Sequence, residues 1–139
     1  YGVTFRLLDD LLRESDFVTL HVVLSDETTG MIGSRELGLM KPEAILVNAA
    51  RGPVVDTDAL TAALQDGTIG GAALDVTDPE PIPPDHPIVR LPNALIVPHT
   101  ASATVATRDN MAVMAAKNLL AILNGEEPPS IVNPEVLKR

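Results

Sequence analysis

Four short apolar runs, almost evenly spaced, constrain this chain more than any other feature. They are Phe17 to Val23 (FVTLHVV), Ala44 to Ala49 (AILVNA), Gly71 to Val76 (GAALDV) and Ala94 to Val97 (ALIV), beginning 27, 27 and 23 residues apart. A run that is apolar throughout, instead of alternating, suits a strand covered on both faces, as in a parallel sheet. Helical patterns fill the gaps. Leu8, Leu11 and Leu12 form an i, i+3, i+4 stripe before the first run. Ser34 can cap a short helix carrying Leu37 and Met40, stopped by Pro42, and Asp56-Thr57-Asp58 can cap another carrying Leu60, Ala63 and Leu64, which Gly67 ends. Strand and helix alternate at the length of a crossover unit, so the predicted fold class is α/β with a parallel sheet.

The remaining segments read differently. Thr77 to Asn93 holds six of the twelve prolines, too many for a helix or a central strand, and is predicted to be a rigid loop. Ser102 to Leu123 reads as one long helix with Ala112, Ala115, Leu119, Ile122 and Leu123 on an apolar face and Asn124-Gly125 as its stop. Residues 126–139, with Pro128, Pro129 and Pro134, are expected to be extended. The predicted organisation is therefore a sheet-bearing part over residues 1–100, a long helix over 101–125 and a tail over 126–139. The chain opens at Tyr1 on an apolar, strand-like Tyr1 to Phe5, which we expect to be a cut inside a larger fold.

Composition removes several function classes. The chain of 139 residues is long enough to bury about two-thirds of its unfolded surface. Ten Lys and Arg face nineteen Asp and Glu, and a net charge of -9 argues against nucleic acid or an anionic membrane as partner. The absence of cysteine excludes disulfide scaffolds, thiolate nucleophiles and cysteine zinc sites. Only Tyr1, Phe5 and Phe17 are aromatic, too few for base-stacking platforms. The longest near-continuous apolar stretch, Phe17 to Leu24, is too short to span a bilayer, and the expected setting is cytoplasmic.

In an open parallel sheet, ligands bind beyond the carboxyl ends of the strands. The second run ends in Asn48-Ala49-Ala50-Arg51-Gly52-Pro53, the third in Asp75-Val76-Thr77-Asp78-Pro79-Glu80-Pro81, and the fourth in Pro98-His99-Thr100-Ala101-Ser102. One cation, several carboxylates and one imidazole thus fall on the same edge. Arginine can grip a carboxylate bidentately and polarise a neighbouring carbonyl. A glutamate beside a histidine favours the imidazolium and fixes which nitrogen faces the substrate, and such a histidine donates a proton in reduction and accepts one in oxidation. No side chain here can supply a hydride, so a nicotinamide cofactor is the expected source. His21, inside the first run, reads as a satisfied interior histidine, and His86 as a loop residue.

With these elements the sequence resembles the carboxyl-terminal part of the D-isomer-specific 2-hydroxyacid dehydrogenases, most closely the glyoxylate/hydroxypyruvate reductase branch. The likeness runs from Leu11 to Asp16 through Leu20 to Leu24, Leu46 to Gly52 and Ala73 to Val76, to Val97-Pro98-His99. It implies a Rossmann-type fold, here the second half of an NAD(P)-binding domain plus a long C-terminal helix. It also implies that Arg51 binds substrate, Glu80 pairs with the histidine, and His99 is the acid/base. By the same resemblance Asp75 meets the nicotinamide carboxamide, Val23, Ala49 and Ala101 line the cofactor, NAD or NADP, and Ser102 lies near the substrate, a small 2-oxo acid. A homodimer and the absence of a metal are further implications. Val23 stands where many relatives carry proline, and Ala101 where many carry glycine. No Gly-x-Gly-x-x-Gly occurs in the 139 residues, so the chain alone is expected to be inactive. Two rival readings are a non-catalytic dinucleotide-sensing module, since a transcriptional corepressor shares the fold family, and a remnant that only dimerises.

Overall fold

A computed structural model describes residues 2–137, which fall into two compact units, residues 1–100 and 101–139. In the first unit, helix α1 (Leu8–Glu14) precedes strand β1 (Phe17–Leu20), short helix α2 (Ser34–Leu37), strand β2 (Ile45–Asn48), helix α3 (Thr57–Gln65), strand β3 (Gly71–Leu74) and strand β4 (Ala94–Ile96). The four strands form one sheet in the order β1-β2-β3-β4, every pair parallel. Tyr1, Lys138 and Arg139 lie outside the described residues, and residues 2–5, expected to be strand-like, carry no strand.

Each strand lies within its apolar run and stops short of the run's end. The sheet's core face is made by Val18, Leu20, Leu46, Ala72 and Leu74, packed with Leu12, Ile32, Leu37, Leu60, Leu64 and Ile69. Burying each of the larger side chains stabilises the fold by roughly 1.5–3 kcal/mol. The opposite face differs from expectation: Phe17 is 71% and Leu95 63% exposed. An apolar run shows that both faces can be covered, but among the described residues of this unit Phe17 and Leu95 stay exposed, with no helix over them.

Helix ends follow local hydrogen bonding. The Asp56 carboxylate caps α3 by accepting from the Ala59 amide at 2.9 Å. Gly67, with φ 69, allows the chain to turn away after that helix. The N-cap of α2 is Gly33 and not Ser34, because the Glu36 carboxylate reaches back and accepts from the Gly33 amide at 3.1 Å. The proline loop after β3 is irregular apart from one 3-10 turn, Pro87–Arg90, which the His86 ring caps by accepting from the Ile88 amide.

The second unit contains helix α4 (Val105–Leu123) and a tail ending in a 3-10 turn, Pro134–Leu137. The helix begins later than Ser102, which lies in a turn, because the Thr104 hydroxyl accepts from the Thr107 amide at 3.1 Å. Asn124 and Gly125 end it, the glycine at φ 74. The predicted apolar face is not buried within this unit. Leu119, Ile122 and Leu123 are exposed, and Ala121 is the one buried residue of the helix. No described helix is long and apolar enough to cross a membrane.

Candidate active site

Leu20, Asn48 and Leu74 lie side by side in register, with Ile96 beside Leu74. The residues that follow them therefore leave the sheet along one edge, the carboxyl edge where open parallel sheets bind ligands. Two cavities open there.

The first cavity, about 440 Å³, lies beyond β1 and β2 and is lined by His21, Val22, Val23, Leu24, Ala49, Ala50 and Arg51. Three of the sequence-selected residues, Val23, Ala49 and Arg51, are brought together in it. His21 corrects the reading of an interior histidine: β1 stops at Leu20, so the imidazole stands exposed beyond the strand, where its Nε2 shares a hydrogen bond with the Thr19 hydroxyl at 2.9 Å.

The Arg51 turn is tightly built. Arg51 Nη1 donates to the Ala50 carbonyl at 2.6 Å. Asn48, 1% exposed, donates from Nδ2 to the Arg51 carbonyl at 2.9 Å and accepts at Oδ1 from the Ala50 amide at 3.1 Å. Gly52 then packs so closely on the next loop that a Cβ there would lie 1.9 Å from the Thr77 carbonyl oxygen. Only glycine permits this approach, and it ties the turn after β2 to the loop after β3.

The second cavity, about 460 Å³, lies beyond β3 and β4 and gathers Asp75, Thr77, Glu80, Val97, Pro98 and His99 among its lining. His99 Nδ1 and Glu80 Oε1 are 2.7 Å apart, with side chains 49% and 41% exposed. This pairing leaves Nε2 as the ring nitrogen available to a substrate. His99 is the one non-glycine described residue at positive φ, 50°, a conformation that costs on the order of 1 kcal/mol. Asp75 holds it there. The Asp75 carbonyl accepts from the His99 amide at 2.9 Å, and the Asp75 carboxylate accepts from the Thr100 amide at 2.6 Å.

Glu80 is steered by its loop. The Thr57 hydroxyl, at the start of α3, donates to the Asp78 carbonyl, and the Thr77 hydroxyl donates to the Pro79 carbonyl, both at 2.9 Å. His86, read as a loop residue, is at a turn start and lines neither of these two cavities. Ala101 and Ser102 belong to the second unit, in the turn that precedes α4.

Sequence reasoning assigned no task to Asn48, although it stands in the Asn-Ala-Ala-Arg-Gly stretch. The available signal was an amide at the last position of an otherwise apolar strand, on the side of Leu46 and so facing the core. The part played by Thr57 had no signal, because the contact spans 21 residues. No group of three or more His, Asp or Glu among the described residues is arranged to hold a metal.

A parallel α/β sheet with its polar groups gathered beyond the strand ends defines a Rossmann-type, dinucleotide-binding class of domain. Residues 1–101 match the model of the D-isomer specific 2-hydroxyacid dehydrogenase family, in its NAD binding domain, and the chain belongs to that family. The chain is 54% identical over 137 residues to a glyoxylate reductase of Thermofilum pendens, an alignment covering 99% of this chain and 40% of that protein. The TT0316 protein of Thermus thermophilus superposes with a TM-score of 0.92 at 52% identity, over 95% of this chain and 42% of its own. D-lactate dehydrogenase of Lactobacillus jensenii, solved with NAD+, gives 0.86 at 35% identity, over 93% and 43%. The chain thus spans about 40% of the length of the relatives it matches.

Proposed function

We propose that the protein carrying this sequence is an NAD- or NADP-dependent 2-hydroxyacid dehydrogenase that reduces a small 2-oxo acid of the glyoxylate or hydroxypyruvate type. The observation that carries the reading is the His99–Glu80 pair at 2.7 Å on the carboxyl edge of the sheet, in a chain 54% identical to a glyoxylate reductase. Arg51 is the carboxylate-binding group, and its guanidinium also polarises the adjacent carbonyl. His99 holds a proton at Nε2 for the carbonyl oxygen, while Glu80 at Nδ1 keeps the ring in the required orientation.

The residues present fit the nicotinamide end of such a cofactor: apolar Ile96, Val97 and Pro98 and polar Asp75 and Thr77 together line a cavity of about 460 Å³. Asp75 would meet its carboxamide, Val23, Ala49 and Ala101 would line other parts of the cofactor, and Ser102 would lie near the substrate. When bound, the nicotinamide supplies the hydride. The pyrophosphate-binding glycine turn has no counterpart in the 139 residues, so activity is proposed for a longer protein and not for this segment alone. A homodimer acting in the cytoplasm completes the reading and draws on family likeness.

The test is oxidation of NADH and NADPH, followed by absorbance, with glyoxylate and with hydroxypyruvate. The full-length protein is expected to turn over at least one combination, and the 139-residue segment none. Full-length protein inactive in all four would overturn the reading. In an active enzyme, Arg51→Ala is expected to raise KM for the 2-oxo acid and lower kcat, with kcat/KM falling about a thousandfold. Arg51→Lys should restore only part of this, because the planar fork is lost.

A further inference from the structure

We propose that Asn48 is the positioning residue for Arg51, an inference that rests on the function proposed above. The Asn48 side chain is buried at the end of β2, and both ends of its amide are committed to the turn that presents the guanidinium. Oδ1 accepts from the Ala50 amide, which belongs to the peptide joining residues 49 and 50. Nδ2 donates to the Arg51 carbonyl, which belongs to the peptide joining residues 51 and 52. The peptide between them, joining residues 50 and 51, is therefore held from both sides. Its carbonyl is the group on which the Arg51 guanidinium rests, at 2.6 Å.

The anchor of this arrangement is the sheet itself. The Asn48 carbonyl accepts from the Asp75 amide at 2.9 Å, in continuation of the β2–β3 ladder, so the amide side chain projects from a fixed backbone. Asparagine suits the place because one short side chain must offer an acceptor to a backbone N–H and a donor to a backbone carbonyl at once. Aspartate has the size but no donor, and alanine would leave buried backbone groups without these partners. Asn48 need not touch substrate; its part is to deliver the guanidinium in one orientation.

A cycle of Asn48→Ala, Arg51→Ala and the double variant tests this in the full-length protein, with KM for the 2-oxo acid, kcat and the Kd for NADH all measured. If Asn48 acts through Arg51, Asn48→Ala raises KM for the 2-oxo acid about tenfold and leaves the Kd for NADH within about twofold. The same substitution then has no further effect on kcat/KM in the Arg51→Ala background. Equal losses in the two backgrounds, or loss of NADH affinity in parallel with KM, would overturn the inference. Asn48→Asp, of equal size, carries the same measurements where Asn48→Ala does not fold, and should raise KM at least as much, because a carboxylate oxygen then faces the Arg51 carbonyl. Unmutated protein that turns over no 2-oxo acid would count against the function; turnover combined with additive losses would count against Asn48 alone.

Discussion

The turn after β2 and the loops after β3 and β4 each place a titratable side chain on the same sheet edge, but they do so with different materials. The Arg51 turn is built from buried backbone contacts: the Asn48 amide is enclosed, and Gly52 lies against the Thr77 and Asp78 backbone with no room for a Cβ. The Glu80–His99 pair is half-exposed and joins two side chains 19 residues apart. The first region makes position inseparable from stability. In the second, the chemistry can be altered while the scaffold stays intact, since an exposed ion pair contributes little to folding. His99 stands between the two cases, its backbone fixed by Asp75 and its ring free enough to meet Glu80.

Substitutions should separate the regions. The largest effect is expected from Gly52→Ala. The added carbon would sit 1.9 Å from one backbone atom and 2.2 Å from another, and neither can rotate away. A loss of about 3 kcal/mol or more is expected in denaturant unfolding, together with loss of turnover. A variant of full stability would show that the turn is looser than described and dissolve the contrast.

Glu80→Gln comes next. The substitution keeps size and some hydrogen bonding but removes the charge that orients the imidazole. Turnover should fall about ten- to a hundredfold while stability moves by less than about 1 kcal/mol. Steady-state kinetics beside thermal melts would check both. Equal damage to folding would make this loop as structural as the Arg51 turn.

The smallest effect is expected away from both regions. The Arg35 guanidinium donates to the Asp9 carboxylate, linking α2 to α1 and holding the Asp9 carboxyl below its ordinary value of 3.8. A carboxyl held low in the folded state adds stability above its unfolded value and loses it as pH falls through the folded one. Asp9→Asn should therefore melt slightly lower than the unmodified protein at neutral pH, and the difference should fade below pH 3.8. A gap that persists in strong acid would assign the effect to packing instead of charge. Turnover should be unchanged, which makes this variant the control for the other two.

Much of the sheet was readable from the chain because apolar, β-branched runs are local signals. All four runs contain strands, Asp56 starts a helix, and Gly67 and Asn124-Gly125 end helices where turn and cap chemistry places them. Expectation failed where local signals competed or where burial depended on distant parts. The long helix starts at Val105 behind a Thr104 cap and not at Ser102, and Glu36 reaching back to Gly33 displaced Ser34. His21 looked interior because its run continues to Val23, yet pairing ends at Leu20, where β2 also ends in register. Leu119 and Ile122 lie on the apolar face read from the sequence, yet both are exposed: a helical period says only that a face can be covered, not that anything in the same unit covers it.

The sequence by itself determined the α/β class, the carboxyl-edge location of Arg51, Glu80 and His99, and the family resemblance, since all three depend on residue identity and short-range order. The resemblance already implied that Glu80 pairs with His99, and the two side chains lie 2.7 Å apart. Tertiary structure alone set Arg51 in a separate cavity with Val23 and Ala49, turned the Asp75 carboxylate onto the Thr100 amide, and gave Asn48 its place beneath the turn. The physical reason is that these contacts bridge separate strand ends or depend on a buried amide satisfying two backbone groups at once. Such demands exist only after the strands have paired.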